Sequence, residues 1–232
     1  MQLYWYALIL NLSPQTPLYF LLFALGAAGE LAIPVLAEWK TTANWHHGHI
    51  VDRHNMFNII VLGECFAAIA MIVADSRVPD PHHFWLAGLC FLSTLSMWGP
   101  YFDRNEQLLN RKLAAVLTWA YGHYVLFAAG AATAAGFSVA LTVARERSLT
   151  STQGAALAMG VPIALYLAAL WLVRDRASRG GSQHWLLLVA AALILAGSAL
   201  SSYPLEWIAG LLVCAVMARR HVYPTNQRNS EI

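Results

Sequence analysis

The feature that most constrains this chain is a series of apolar segments on the scale of a lipid bilayer. A helix that crosses the hydrocarbon core needs about 20 mostly apolar residues. The last two segments are short and are separated only by residues 201–204, so two short spans and a broken, re-entrant hairpin both fit them. We predict an all-α polytopic membrane protein, a single domain over residues 1–232, with about seven transmembrane helices. The predicted segments are Leu18–Ala37, Asn55–Val73, Phe84–Phe102, Leu113–Leu141, Gly154–Val173, Trp185–Leu200 and Leu205–Ala218.

The composition supports this class and excludes others. Of the 232 residues, 59% are hydrophobic and only 11% are charged, and the mean hydropathy is +0.53. A soluble domain carries roughly 25% charged residues. The net charge of +2 is too small to suggest a nucleic-acid partner. The expected partner is the lipid bilayer, with a homo-oligomer kept as an option.

The basic residues predict the orientation of the chain. When the loops are assigned alternately to two sides, most of the 14 lysines and arginines fall on one side, which should be cytoplasmic. That side carries Lys40, Arg53, Arg104, Arg111, Lys112, Arg174, Arg176, Arg179, Arg219, Arg220 and Arg228. The other side carries only Arg77, Arg145 and Arg147. The N-terminus is therefore predicted outside, and residues 219–232 are predicted to form a short cytoplasmic tail.

Polar residues occur at a common depth in the first four segments. Glu64 lies nine residues beyond Asn55, or about 14 Å along a helix, and a carboxylate at that depth is costly and usually functional. Glu30, His123 and Ser93 lie about 12 to 15 Å from the same side. We predict that these four residues form a binding or transport site for an unknown small solute or ion. The structural alternatives are neutral acids paired between helices, a packing histidine, and a serine bonded to its own helix.

A second group of polar residues precedes the Glu64 segment. His49, Asp52, Arg53 and His54 are predicted to form a cytoplasmic mouth for that site. The spacings from His49 to Arg53 and from Arg53 to Glu64 place these three residues on one face of a helix. The alternative is a set of interfacial residues around an arginine that reaches to the membrane surface. The charges at Asp103 and Arg104 are likewise expected to be solvated at the membrane boundary.

The sequence predicts neither a metal site nor a cofactor. The histidines of segment 46–49 include adjacent residues that point about 100° apart on a helix, and no cysteine joins them, so a membrane-surface anchor is favoured. A retinal Schiff base needs a lysine in the final span, whereas the only lysines are Lys40 and Lys112. The three cysteines lie inside apolar segments without a C-x-x-C pair: Cys65, Cys90 and Cys214.

Three motifs carry a resemblance to the bacterial low-temperature-requirement A (LtrA) family. The first reads His49-x-x-Asp52-Arg53-His54-x-x-Phe57-x-x-Ile60-x-Leu62-Gly63-Glu64, with Asp52 where the family usually has glutamate. The other two are Trp98-Gly99-Pro100-Tyr101-Phe102-Asp103 and Tyr121-Gly122-His123. Order and spacing agree over about Glu30–Gly136, and only hydropathy agrees beyond it. Because family members commonly have further spans upstream, the chain resembles their C-terminal portion. The resemblance implies a multi-pass protein of the bacterial inner membrane, linked to growth in the cold, and implies no particular reaction.

Three functions remain open on the sequence. The first is a transporter or channel that uses Glu30, Glu64 and His123. The second is a membrane-embedded enzyme that acts on lipid at the cytoplasmic interface through Asp52 and its neighbours. The third is a structural or sensory membrane protein in which the buried acids pair helices. An enzyme is the less favoured class, because none of the common hydrolase or metalloprotease motifs occurs.

Overall fold

The structure is a computed structural model that describes residues 1–38, 46–74, 81–103, 113–145, 150–176 and 185–222. Within these ranges the chain is helical and contains no strand. The helices are α1 (Gln2–Asn11), α2 (Pro17–Glu38), α3 (His47–Ala74), α4 (Pro81–Phe102), α5 (Leu113–Ala144), α6 (Thr152–Leu170), α7 (Leu186–Leu200) and α8 (Pro204–Val222). A five-residue π-helix, Trp171–Asp175, continues α6.

The predicted apolar segments are all helical. Four stretches are long and apolar enough to cross a membrane. They are Pro17–Glu38, Gly48–Ala74, Leu113–Ala144 and Thr152–Asp175. The remaining predicted segments form α4, α7 and α8, and α1 is a further helix. The all-helical class of apolar spans is therefore confirmed. Arg219 and Arg220, assigned from the sequence to a tail, lie within α8.

The described helices form two compact units. The first contains α1, α2 and the first residues of α5, Leu113–Leu117. In this unit the Tyr4 hydroxyl donates to the Leu22 carbonyl, and the Trp5 indole N–H donates to a Glu30 carboxylate oxygen at 2.7 Å. The two helices approach closely because Gly26 has no side chain where the Tyr4 ring lies. Tyr4 and Trp5 thus fasten α1 to α2.

The second unit contains α3 to α8, apart from the first residues of α5. Helix α4 packs against both α3 and α8, and α7 packs against both α6 and α8. Helices α7 and α8 form an antiparallel pair in which the Trp207 indole donates to the Leu193 carbonyl at 3.1 Å. The core of this unit is a continuous set of buried apolar side chains that includes Met97, Phe137 and Leu170.

The end of α6 changes from α- to π-helical hydrogen bonding without a break. The Arg176 amide donates to the Trp171 carbonyl, five residues earlier, at 2.8 Å. π-Helical turns are uncommon and occur frequently at functional sites. A π-helical turn spans one residue more than an α-helical turn. This extra residue changes the directions in which Val173, Arg174 and Asp175 project.

Candidate functional site

A buried histidine lies within the second unit. His123 on α5 is 0% exposed. Its Nδ1 lies 2.8 Å from the Trp119 carbonyl oxygen, which can only accept, so Nδ1 carries the proton. Nε2, at 3.2 Å from the Tyr101 hydroxyl, therefore accepts. Both ring nitrogens are satisfied, and the imidazole is held in one orientation between α4 and α5.

A second histidine approaches the first from α3. The His54 ring centroid lies 4.9 Å from that of His123 and 4.6 Å from that of Trp119. His54 is half-buried, and its Nδ1 donates to the Ile50 carbonyl at 2.8 Å. No described residue forms a hydrogen bond with its Nε2, which leaves that nitrogen able to bind a polar ligand. We call His54, Tyr101, Trp119 and His123 the histidine site.

The π-helix covers one side of this site. The Arg174 guanidinium carbon lies 4.5 Å from the centre of the Tyr101 ring, a cation–π contact. A Cβ atom added at Gly122 would collide with Val173, so α5 and the π-helix touch at this glycine. Gly122 precedes His123 in the chain. The position of the π-helix and the packing around His123 are therefore linked.

Asp103, Asp175 and Arg219 form an ionic cluster. Asp103 directly follows the end of α4 and lies two residues after Tyr101 of the histidine site. Arg219 is 2% exposed and donates to Asp175 through both terminal nitrogens, at 2.5 and 2.9 Å. Its Nε donates to Asp103 at 2.7 Å. The cluster joins α4, the π-helix and α8. The expectation that Asp103 is a solvated boundary charge is therefore wrong, because its carboxylate is bound by the buried Arg219 of α8.

The four residues predicted to form the binding or transport site occupy different surroundings. His123 is buried as described, and Ser93 is buried but donates to the Leu89 carbonyl of its own helix at 2.8 Å. Glu64 is exposed on α3, and no described residue forms a hydrogen bond or ion pair with it. Glu30 belongs to the first unit, where Trp5 binds it. Within the second unit, then, Glu64 and His123 do not share a contact.

The residues predicted to form the mouth divide into two groups. His49, Asp52 and Arg53 are exposed on the first turns of α3. His54 instead turns inward against His123. Adjacent residues on a helix point about 100° apart, which places Arg53 and His54 in different surroundings.

Several residues of the histidine site and of the ionic cluster were not predicted as site residues from the sequence. Tyr101 and Asp103 belong to the motif at residues 98–103, and that position in a recognisable motif was the signal that could have marked them. Asp175 and Arg219 carry no local signal, because the partners are 44 residues apart in the chain. Among the described residues no group of three His, Cys, Asp or Glu side chains is arranged to hold a metal ion.

The apolar helices and the enclosed polar side chains define a helical membrane protein. Residues 1–219 match the family model described as bacterial low temperature requirement A protein (LtrA), and the chain belongs to this family. The match covers most of the chain and extends well beyond Glu30–Gly136, the region that carries the motif resemblance. No curated protein and no solved structure matches the chain.

Proposed function

We propose that this LtrA-family protein is a transporter or channel of the bacterial inner membrane, and that the histidine site lies on its pathway. The observation that carries the proposal is the contact between the half-buried His54 and the fully buried His123, whose ring centroids lie 4.9 Å apart among apolar helices. Ionisable residues within membrane helices are costly and usually mark pathways for ions, protons or substrates. The solute is a small ion or polar molecule that exchanges hydrogen bonds with imidazole.

The proposed topology has seven crossings, with the N-terminus outside and the C-terminus cytoplasmic. The uneven distribution of lysine and arginine supports this orientation. In this topology the histidine site opens toward the side on which α3 begins. His49, Asp52 and Arg53 are exposed on the first turns of α3 and form the entrance.

Glu64, Glu30 and Ser93 remain part of the proposal as residues whose substitution should affect transport. The exposed Glu64 carboxylate on a span needs a polar neighbour, because a charge facing lipid is strongly disfavoured. A homo-oligomer in which a partner covers this face of α3 would supply such a neighbour.

The test is a flux measurement with purified protein in lipid vesicles. Proton, Na⁺, K⁺ and Cl⁻ gradients are imposed in turn, and flux is followed with ion-sensitive dyes. His123→Asn should abolish any flux that the wild type supports, whereas His221→Asn, a change at an exposed histidine at the end of α8, should leave it unchanged. Unaltered flux in both His123→Asn and Glu64→Gln would contradict the proposal.

The ionic cluster favours a structural or sensory membrane protein as the second candidate. Arg219 holds together three elements and is buried, as expected where charged groups only pair helices. In that case no imposed gradient relaxes through the wild type, and His123→Asn lowers thermal stability alone. The enzyme alternative lacks comparable support, because His54 faces His123 rather than joining the exposed Asp52 and Arg53.

A further inference from the structure

Three successive residues of the π-helix contact three different helices. Val173 packs where Gly122 of α5 leaves room. Arg174 lies over the Tyr101 ring of α4. Asp175 binds Arg219 of α8. A single short turn therefore joins the histidine site to the ionic cluster.

The geometry points to a conformational device: the ionic cluster acts as a latch that keeps the π-helix closed over the histidine site. Release of Arg219 from Asp103 and Asp175 frees the π-helix and admits water to Tyr101 and His123 from the end of the unit that carries Arg219.

The hydrogen bonds of the cluster show why it can open. Asp103 and Asp175 share the one guanidinium group of Arg219. Asp103 holds the weaker position, with one hydrogen bond to Arg219 against two for Asp175. Its other oxygen, Oδ1, is buried without a hydrogen-bond partner in the part of the chain that the structure describes. The ionic cluster is thus attached to α4 through Asp103, which makes fewer hydrogen bonds to Arg219 than Asp175 does.

The backbone supplies the movable part. Conversion of one π-turn to α-helical hydrogen bonding removes the extra residue and rotates the residues on one side by about 100°. Such a rotation carries Asp175 away from Arg219 or Arg174 away from Tyr101, depending on which side turns. Because Tyr101 also donates to His123, either movement changes the surroundings of the imidazole.

Thiol labelling tests the latch without reference to transport. Met97 lies one turn before Tyr101 on α4 and is 0% exposed, so Met97→Cys places a reporter thiol beside the site. The protein in lipid nanodiscs is treated with a water-soluble maleimide, and the labelled positions are identified by peptide mass. Asp103→Asn should raise the labelling rate at position 97 by about tenfold, the effect of replacing the charged acceptor of the Arg219 hydrogen bond by a neutral amide oxygen. Asp175→Asn, which replaces one of two accepting oxygens by an amide group and makes the other a neutral acceptor, should raise it further.

Native residues supply the controls. Cys90, in the first half of α4, is also 0% exposed, and its labelling should not change. Glu206→Gln alters a residue of α8 that accepts from Trp85 outside the cluster, and it should leave position 97 protected. The latch is overturned if Asp103→Asn leaves labelling at position 97 unchanged. It is also overturned if Cys90 becomes reactive in parallel, since that result shows general loosening of the helices.

Discussion

Two dipeptides of this chain have the same pattern and opposite surroundings. Gly63-Glu64 in α3 and Gly122-His123 in α5 each place a glycine before an ionisable residue at about the same predicted depth. A Cβ atom added at Gly63 meets nothing within 4 Å, whereas one added at Gly122 collides with Val173. Glu64 is exposed, and His123 is 0% exposed. Depth in the membrane follows from position along a helix, but direction follows from the neighbours against which the helix packs.

The adjacent arginines of α8 also differ in burial, and the substitution of the buried one gives the largest expected effect on stability. Arg219→Ala leaves two carboxylates without their guanidinium and should destabilise the protein by about 3–5 kcal/mol. Arg220 is exposed, and Arg220→Ala should change stability by less than about 0.5 kcal/mol. Thermal unfolding in detergent, followed by circular dichroism, measures both. Equal losses of stability in the two variants would contradict the difference in burial between Arg219 and Arg220.

Substitution of the two glycines tests the packing contrast directly. Gly122→Ala forces a methyl group against Val173 and should cost about 1–3 kcal/mol. Gly63→Ala adds a methyl group in open space and should be neutral or stabilise α3 by up to about 1 kcal/mol. The midpoints of thermal unfolding of the two variants, compared with that of the wild type, measure both effects. A tolerated Gly122→Ala would mean that the π-helix does not pack on α5 as described.

Removal of the hydroxyl group should lower stability at a buried tyrosine and not at an exposed one. Tyr101→Phe leaves Nε2 of His123 without its donor and should cost about 1–2 kcal/mol. Tyr124, 59% exposed on α5, is the matched control, and Tyr124→Phe should be nearly silent. Nitrogen-15 chemical shifts of the His123 ring supply an independent readout. These shifts should change in Tyr101→Phe and remain unchanged in Tyr124→Phe.

Neutralisation of Glu64 should have the smallest effect on the stability of the isolated chain. Because no described residue binds this carboxylate, Glu64→Gln should shift stability by less than about 0.5 kcal/mol, against the larger loss expected for His123→Gln. Unfolding is measured at a protein concentration at which the chain is monomeric. A loss that appears only at higher concentration would place Glu64 at a contact between copies. A large loss in the monomer would contradict its exposed position.

Much of the fold could be predicted because apolar length determines where membrane helices form. Every predicted segment from Leu18–Ala37 to Leu205–Ala218 is helical, including the short pair around residues 201–204. The π-helix could not be predicted, because it depends on the packing of Val173 and its neighbours rather than on local propensity. The pairing of Glu30 with Trp5 was missed as well, since nothing in either segment specifies the other.

The candidate site was predictable only in part. His123 was recognisable as an ionisable residue deep in an apolar segment, and His54 as a member of a motif. Neither observation indicates that their rings meet. In a soluble helix the apolar stripe reveals the inward face, but a membrane helix is apolar all round, and that signal is lost. For this reason Glu64 and His123 looked equivalent in the sequence.

The sequence by itself determined that this is a helical membrane protein of the LtrA family, with ionisable residues inside its apolar segments. Length, hydropathy and motif spacing are properties of continuous segments, so they need no tertiary information. Only the tertiary structure decided which polar groups meet: Tyr101 with His123, His54 with His123, and Arg219 with Asp103 and Asp175. The physical reason is that these partners lie on different helices, and their contacts depend on how each helix is rotated in the bundle.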